Sequence, residues 1–105
     1  MEAKDALEII KEGNKRYVKG DLKHPHTDNT RRDALQEGQN PIAVVLSCAD
    51  SRVIPELIFD QGLGDLFVIR VAGNIAKDKV LGSIEYAVKF LKTKLVIVLG
   101  HEKCG

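Results

Sequence analysis

Tryptophan is absent from this sequence, only 5% of its residues are aromatic, and it has one methionine. A core built from it must therefore be mainly aliphatic. With 105 residues it is one small domain spanning 1–105, with a modest margin of burial. Cysteine occurs twice, too seldom for the disulfide framework of a small secreted scaffold. An excess of either charge is also missing, since 16 basic residues against 15 acidic ones leave a net charge of +1. Such a balance gives no electrostatic reason to expect nucleic acid or an anionic membrane as a partner. No apolar run approaches the ~20 residues of a membrane-spanning helix. The amino terminus, Met1-Glu2-Ala3-Lys4-Asp5, lacks the apolar stretch of a secretory signal. The expectation is a cytoplasmic domain that engages neither nucleic acid nor membrane.

What is present is a regular alternation. Residues 3–19 place Leu7, Ile10, Asn14, Tyr17 and Val18 near one helical face, and Gly20 follows as a stop. Residues 21–33 are polar and contain Pro25, so they read as a loop, followed by a short helix over 31–37. His24 and His26 lie in that loop with no cysteine close in sequence, and read as solvated. Ile42–Leu46, Leu66–Val71 and Leu95–Leu99 are apolar runs of strand length. Between them lie a short helix over 53–59, with Pro55 in its first turn, and a longer one over 79–92. The longer helix is patterned by Val80, Ile84, Ala87, Val88 and Leu91. Strands alternating with helices predict an α/β fold with a parallel sheet and right-handed crossovers.

Two short motifs follow two of these strands. Ser47-Cys48-Ala49-Asp50-Ser51-Arg52 leaves the first, and Gly100-His101-Glu102-Lys103-Cys104 leaves the last. In a parallel sheet both emerge at the carboxyl edge, where open α/β sheets place their sites. There the chain offers two thiols, an imidazole and a carboxylate. Zinc takes these donors, and a catalytic zinc keeps three protein ligands and one open position. A Cys48–Cys104 disulfide is the competing use of the two thiols, although cysteines in a reducing compartment more often mark metal or catalysis. Asp50 and Arg52 lie two residues apart and share a face in extended chain, so a bidentate ion pair is expected between them.

Cys48-Ala49-Asp50-Ser51-Arg52, followed some fifty residues later by Gly100-His101-Glu102-Lys103-Cys104-Gly105, resembles the β-class carbonic anhydrases. The resemblance implies that Cys48, His101 and Cys104 hold zinc. It implies that Asp50, paired with Arg52, orients the attacking oxygen at carbon dioxide, and that in a closed state Asp50 swings onto the metal as a fourth ligand. It also implies substrate contacts from Gln39, Phe67 and Tyr86, with Ala72 where plant-like members carry a bulkier valine. The helix over 1–20 becomes an arm reaching a second subunit, in a homodimer or larger homo-oligomer. The implied activity is reversible hydration of carbon dioxide to bicarbonate and a proton. No residue identifies itself as the proton shuttle, and His24 and His26 qualify only because an ordinary histidine titrates near neutral pH.

Alternatives on the same fold are a non-catalytic zinc- or bicarbonate-binding relative and a hydrolase of carbon disulfide or carbonyl sulfide. The intact Asp50–Arg52 pair favours an active site. Members that close on bicarbonate use a tryptophan shortly before the first cysteine. Val45 stands in that neighbourhood here, which favours an open site. Family members continue well past the second motif, so the carboxyl-terminal part of their fold has no counterpart in this sequence.

Overall fold

The apolar run before Cys48 forms the strand on which everything else packs. Ala43, Val44 and Val45 are completely buried, and so is the rest of that strand. Each buried valine contributes about 2 kcal/mol relative to exposure. The computed structural model describes residues 1–105. Its elements are α1 (Ala3–Lys19), α2 (Asn29–Ala34), β1 (Ala43–Ser47), α3 (Pro55–Ile58), β2 (Leu66–Arg70), a 3₁₀ turn (Ala72–Asn74), α4 (Asp78–Lys89) and β3 (Val96–Val98). The three strands are parallel in the order β2-β1-β3, with Val44 opposite both Phe67 and Val96. This is the expected α/β fold.

The order matters for function. From β1 the chain crosses to β2 on one side, then passes back over β1 to β3 on the other. The reversal leaves a crevice beyond the carboxyl end of β1.

Side-chain alternation divides the sheet faces. Ala43 and Val45 pack with Ile10 of α1 and Phe59 beyond α3, joined by Leu66, Val68, Leu95, Ile97 and Leu99. On the opposite face Phe67 meets Tyr86 of α4, with ring centroids 6.0 Å apart. Edge strand β3 leaves Val96 and Val98 exposed.

Helix α1 spans the predicted residues and ends as Gly20 enters the left-handed region (φ 72°), with Gly20 N–H bonded to Tyr17 O and Asp21 N–H to Arg16 O. Its buried residues are Ala6, Ile10 and Gly13, whereas Leu7, Tyr17 and Val18 of the predicted face are exposed. The face is rotated because α1 packs on its own α3 through Gly13, Asn14 and Arg16. Asn14 Nδ2 donates to Ile58 O at 2.9 Å, and Arg16 Nε donates to the buried Asp60 carboxylate. Asp60 also accepts from the backbone N–H groups of Lys23 and His24. Burial pushes the Asp60 carboxyl up, but Arg16 and these two N–H donors outweigh it, and the net shift is downward.

Other boundaries moved for local reasons. Helix α2 starts at Asn29 rather than 31 because the Asp28 side chain accepts from Arg31 N–H at 2.9 Å. Helix α4 stops at Lys89, short of 92, and Lys92 takes a positive φ of 59° that no helix continues. His26 is not simply solvated. Its Nδ1 lies 2.9 Å from Asp65, which also receives Arg31 Nη2 and Gly62 N–H. That acid is distant in sequence and is brought up by the turn before β2. No helix is long and apolar enough to cross a membrane.

Candidate metal centre

All three strand ends feed one cleft. Beyond β1 and β2 the ladder runs on, with Val71 N–H bonded to Ser47 O and Ala49 N–H to Val71 O. Gly73 then turns through φ 73°, a conformation that costs glycine little. This brings Gly73 N–H to within 3.2 Å of Cys48 Sγ. Beyond β3, Leu99 N–H bonds Leu46 O, and the chain turns through His101–Cys104 with Lys103 in the left-handed region at φ 57°. The turn delivers Cys104 Sγ to 4.0 Å from Cys48 Sγ. The donor atoms of Cys48, His101 and Cys104 all lie within 4.8 Å of one another.

The competing disulfide does not form. Both cysteines are free, and 4.0 Å is about twice a sulfur–sulfur bond. Two thiolates on one tetrahedral zinc, each at ~2.3 Å, sit about 3.8 Å apart, close to what is seen. The imidazole fits as well. His101 Nδ1 lies 2.9 Å from Glu102 O, an atom that only accepts, so Nδ1 carries the proton. In the neutral ring Nε2 then keeps its lone pair. Nε2 is buried and has no hydrogen-bond partner, a costly state for a polar atom unless a ligand fills it.

The electrostatics favour one thiolate. Gly73 N–H, followed by His101 and the Asp50 N–H, lowers the Cys48 pKa to about 6 against an opposing cost of burial. The Cys48 sulfur in turn raises both His101 and Cys104, with burial adding to the rise at Cys104.

Beside these donors, Asp50 and Arg52 form the expected bidentate pair. Arg52 Nε reaches Asp50 Oδ1 at 3.0 Å, Nη2 reaches Oδ2 at 2.7 Å, and Arg52 N–H adds a third bond to Oδ1 at 2.9 Å. Arg52 holds the Asp50 carboxyl far below the usual carboxylate range, and Asp50 raises Arg52 in return. Arg52 Nη2 also donates to Lys103 O at 3.2 Å, tying the first motif to the second. Asp50 Oδ2 stands 3.9 Å from His101 Nε2. The cleft, about 460 Å³, is lined by Cys48, Ala49, Asp50, Ala72, Gly73, Cys104 and Gly105. A larger one of about 780 Å³ beside Ile75, Val80 and Leu81 has neither thiol nor imidazole.

The structure does not bring Gln39, Phe67 or Tyr86 to this cleft. Gln39 is exposed and precedes the amino end of β1, whereas Cys48 follows the carboxyl end. Phe67 is registered with Val44, well before that end, and stacks on Tyr86. Two contributors escaped sequence reasoning. These are Gly73, and Arg70, which lay inside the strand-length run Leu66–Val71. The one hint in the sequence was a lone cation in an otherwise apolar run, and only the register, with Arg70 opposite Ser47, gives it meaning.

Fold and cleft together define an α/β domain with a candidate metal centre of two sulfurs and one imidazole at its sheet's carboxyl edge. A family model for carbonic anhydrase matches residues 43–105. Carbonic anhydrase 2 of Mycobacterium tuberculosis is 54% identical over 100 residues, which cover 95% of this chain and 48% of that protein. The Coccomyxa β-carbonic anhydrase, solved in complex with acetazolamide, matches with a TM-score of 0.69 and 37% identity over 74% of this chain and 36% of its own. A tetrameric β-carbonic anhydrase from Sordaria macrospora matches at 0.67 and 38% identity, over 70% of this chain and 39% of its own. The chain belongs to the β-class carbonic anhydrase family. It spans about half the length of the curated relatives it matches.

Proposed function

We propose that this chain carries the catalytic centre of a carbonic anhydrase, which interconverts carbon dioxide with bicarbonate and a proton and uses zinc. One observation carries the reading: two sulfurs and an unpartnered buried imidazole nitrogen converge within 4.8 Å, beside an ion-paired carboxylate. Cys48 Sγ, Cys104 Sγ and His101 Nε2 would hold the zinc, a donor set that leaves a position open. When bound, the ion supplies Lewis acidity that brings the pKa of water from ~15.7 towards neutrality.

The chain's own groups supply the remainder. Gly73 N–H favours the Cys48 thiolate, and Glu102 O fixes the His101 ring. Arg52 keeps Asp50 ionised, so its carboxylate can only accept. Placed beside His101, Asp50 takes a hydrogen bond from the attacking water and aims a lone pair at the substrate carbon. Ala49, Ala72 and Gly73 add little bulk to the cleft wall, which suits a substrate of three atoms. Gln39, Phe67 and Tyr86, as substrate contacts, would serve the cleft of a second copy. The exposure of Tyr86 and Phe90 supports a homo-oligomer with that aromatic surface at its interface.

The test is stopped-flow carbon dioxide hydration with zinc content measured on the same sample. The expected result is one zinc per chain and turnover blocked by small anions, with both lost in Cys104→Ser. Stoichiometric zinc without turnover would refute catalysis by this chain. Zinc retained in Cys104→Ser would refute the ligand set.

A further inference from the structure

The loop that carries Cys48 and Asp50 contains no helix or strand, and one side chain from outside it holds three of its backbone carbonyls. Arg70, last residue of β2 and registered with Ser47, extends past the end of β1. Its Nε donates to Cys48 O at 2.9 Å, and its Nη2 donates to Asp50 O at 2.6 Å and Val53 O at 3.2 Å. No carboxylate lies within ion-pair distance of it. A half-buried guanidinium without a counter-ion is costly unless its donors are satisfied. Here three backbone carbonyls of one loop satisfy it. The loop's internal bonds are the short turn from Val53 N–H to Asp50 O and the Asp50–Arg52 pair.

We infer that Arg70 is a positioning residue for the metal centre. Its planar fork holds the carbonyls of Cys48, Asp50 and Val53 together, so that Cys48 Sγ and the Asp50 carboxylate face His101 and Cys104. Geometry rather than charge does this. Guanidinium donors leave in fixed directions in one plane, whereas an ammonium is a single point on a flexible stem and cannot supply the Nε bond. Without the fork, the Cys48 and Val53 carbonyls lose their side-chain donor and Asp50 O keeps only the Val53 N–H, and the loop turns them outward to water. Cys48 and Asp50 move with it. This inference rests on the metal-centre reading above.

The test uses the full chain with cobalt(II), whose absorption reports ligand geometry, together with amide hydrogen exchange on the metal-free chain. Arg70→Gln removes both charge and fork. Arg70→Lys keeps the charge alone, and it carries the comparison if the glutamine variant does not fold. All samples are measured well below their melting temperatures. The expected result in both variants is exchange at Arg52 and Val53 at least about tenfold faster than in the parent. Cobalt(II) affinity should fall about 10- to 100-fold, with shifted absorption bands. A purely structural role would lower the melting temperature and leave bands and local exchange unchanged. That outcome, or full rescue by lysine, overturns the inference. Neither readout needs carbon dioxide. An inactive parent chain with an Arg70-dependent spectrum therefore refutes catalysis alone, and an active chain indifferent to Arg70 refutes only the positioning role.

Discussion

Gly13 is where α1 comes closest to the rest of the domain, and Gly13→Ala sets two effects of opposite sign against each other. Alanine is the better helix former by about 1 kcal/mol. A Cβ at this position, however, would sit 1.7 Å from Phe59 O, 2.7 Å from Phe59 C and 3.1 Å from Gln61 Nε2. Non-bonded heavy atoms rest at roughly 3.5 Å, so helix and carbonyl must part by well over an ångström. The carbonyl is not free to yield, because Gln61 Nε2 already bonds it at 3.0 Å. Overpacking of this kind costs about 1–3 kcal/mol. Backing α1 away also stretches the Asn14–Ile58 bond and the Arg16–Asp60 pair, each bond worth about 1 kcal/mol or more. The clash wins, with a net loss of about 3 kcal/mol. At about 4 °C or more per kcal/mol for a domain of this size, the melting temperature should fall by at least about 10 °C in thermal unfolding followed by circular dichroism. Gly82→Ala is the internal control. It lies in α4 with nothing within 4 Å of a new Cβ, so the propensity gain stands alone and the melting temperature should rise by a few degrees. A Gly13→Ala chain as stable as the parent, in an experiment where Gly82→Ala behaves as expected, would refute the α1–α3 contact.

Two further predictions concern the cleft. In the metal-free chain, thiolate absorbance should show a first transition near pH 6 from Cys48 and a second above the ordinary thiol range from Cys104, and Cys48→Ser should abolish the first and lower the second, because the Cys48 sulfur is the main cause of the rise at Cys104. Because the folded Cys48 pKa lies below its unfolded value, its thiolate stabilises the fold above the unfolded thiol range, and that contribution is lost as pH falls through about 6. Arg52→Ala frees Asp50 and the Lys103 carbonyl together, and carbon dioxide hydration should fall about 100-fold with zinc content unchanged. Near-normal hydration in that variant would show that Asp50 needs no clamp.

The sequence predicted elements more reliably than contacts. The strands lie within the apolar runs Ile42–Leu46, Leu66–Ile69 and Leu95–Leu99, and alternation with helices left a parallel sheet as the natural arrangement, although only β1 is covered on both faces and edge strand β3 leaves Val96 and Val98 exposed. Contacts followed other rules. The apolar pattern of α1 pointed to Leu7 and Val18, yet the buried face is Ala6, Ile10 and Gly13, because small residues let a helix approach backbone that large ones would hold off. Likewise His26 found its acid in Asp65, across a loop whose path no local pattern encodes.

The same distinction runs through the cleft. Cys48, Asp50, Arg52, His101 and Cys104 were legible because their chemistry depends on residue type at short spacing, and the strand ends do the rest. Gln39, Phe67 and Tyr86 have no such spacing, and the fold separates them from the donors by much of the length of β1. Arg70 and Gly73 were illegible for another reason. They act on backbone atoms, on carbonyls in one case and through an N–H in the other, and any residue supplies those. What singles them out is the register that sets Arg70 opposite Ser47 and the positive φ that turns Gly73 towards Cys48. Both are consequences of how β2 pairs with β1. The pairing of these two strands therefore does more than build the core. It sets the position of the loop that carries Cys48 and Asp50, and with it the geometry of the metal centre.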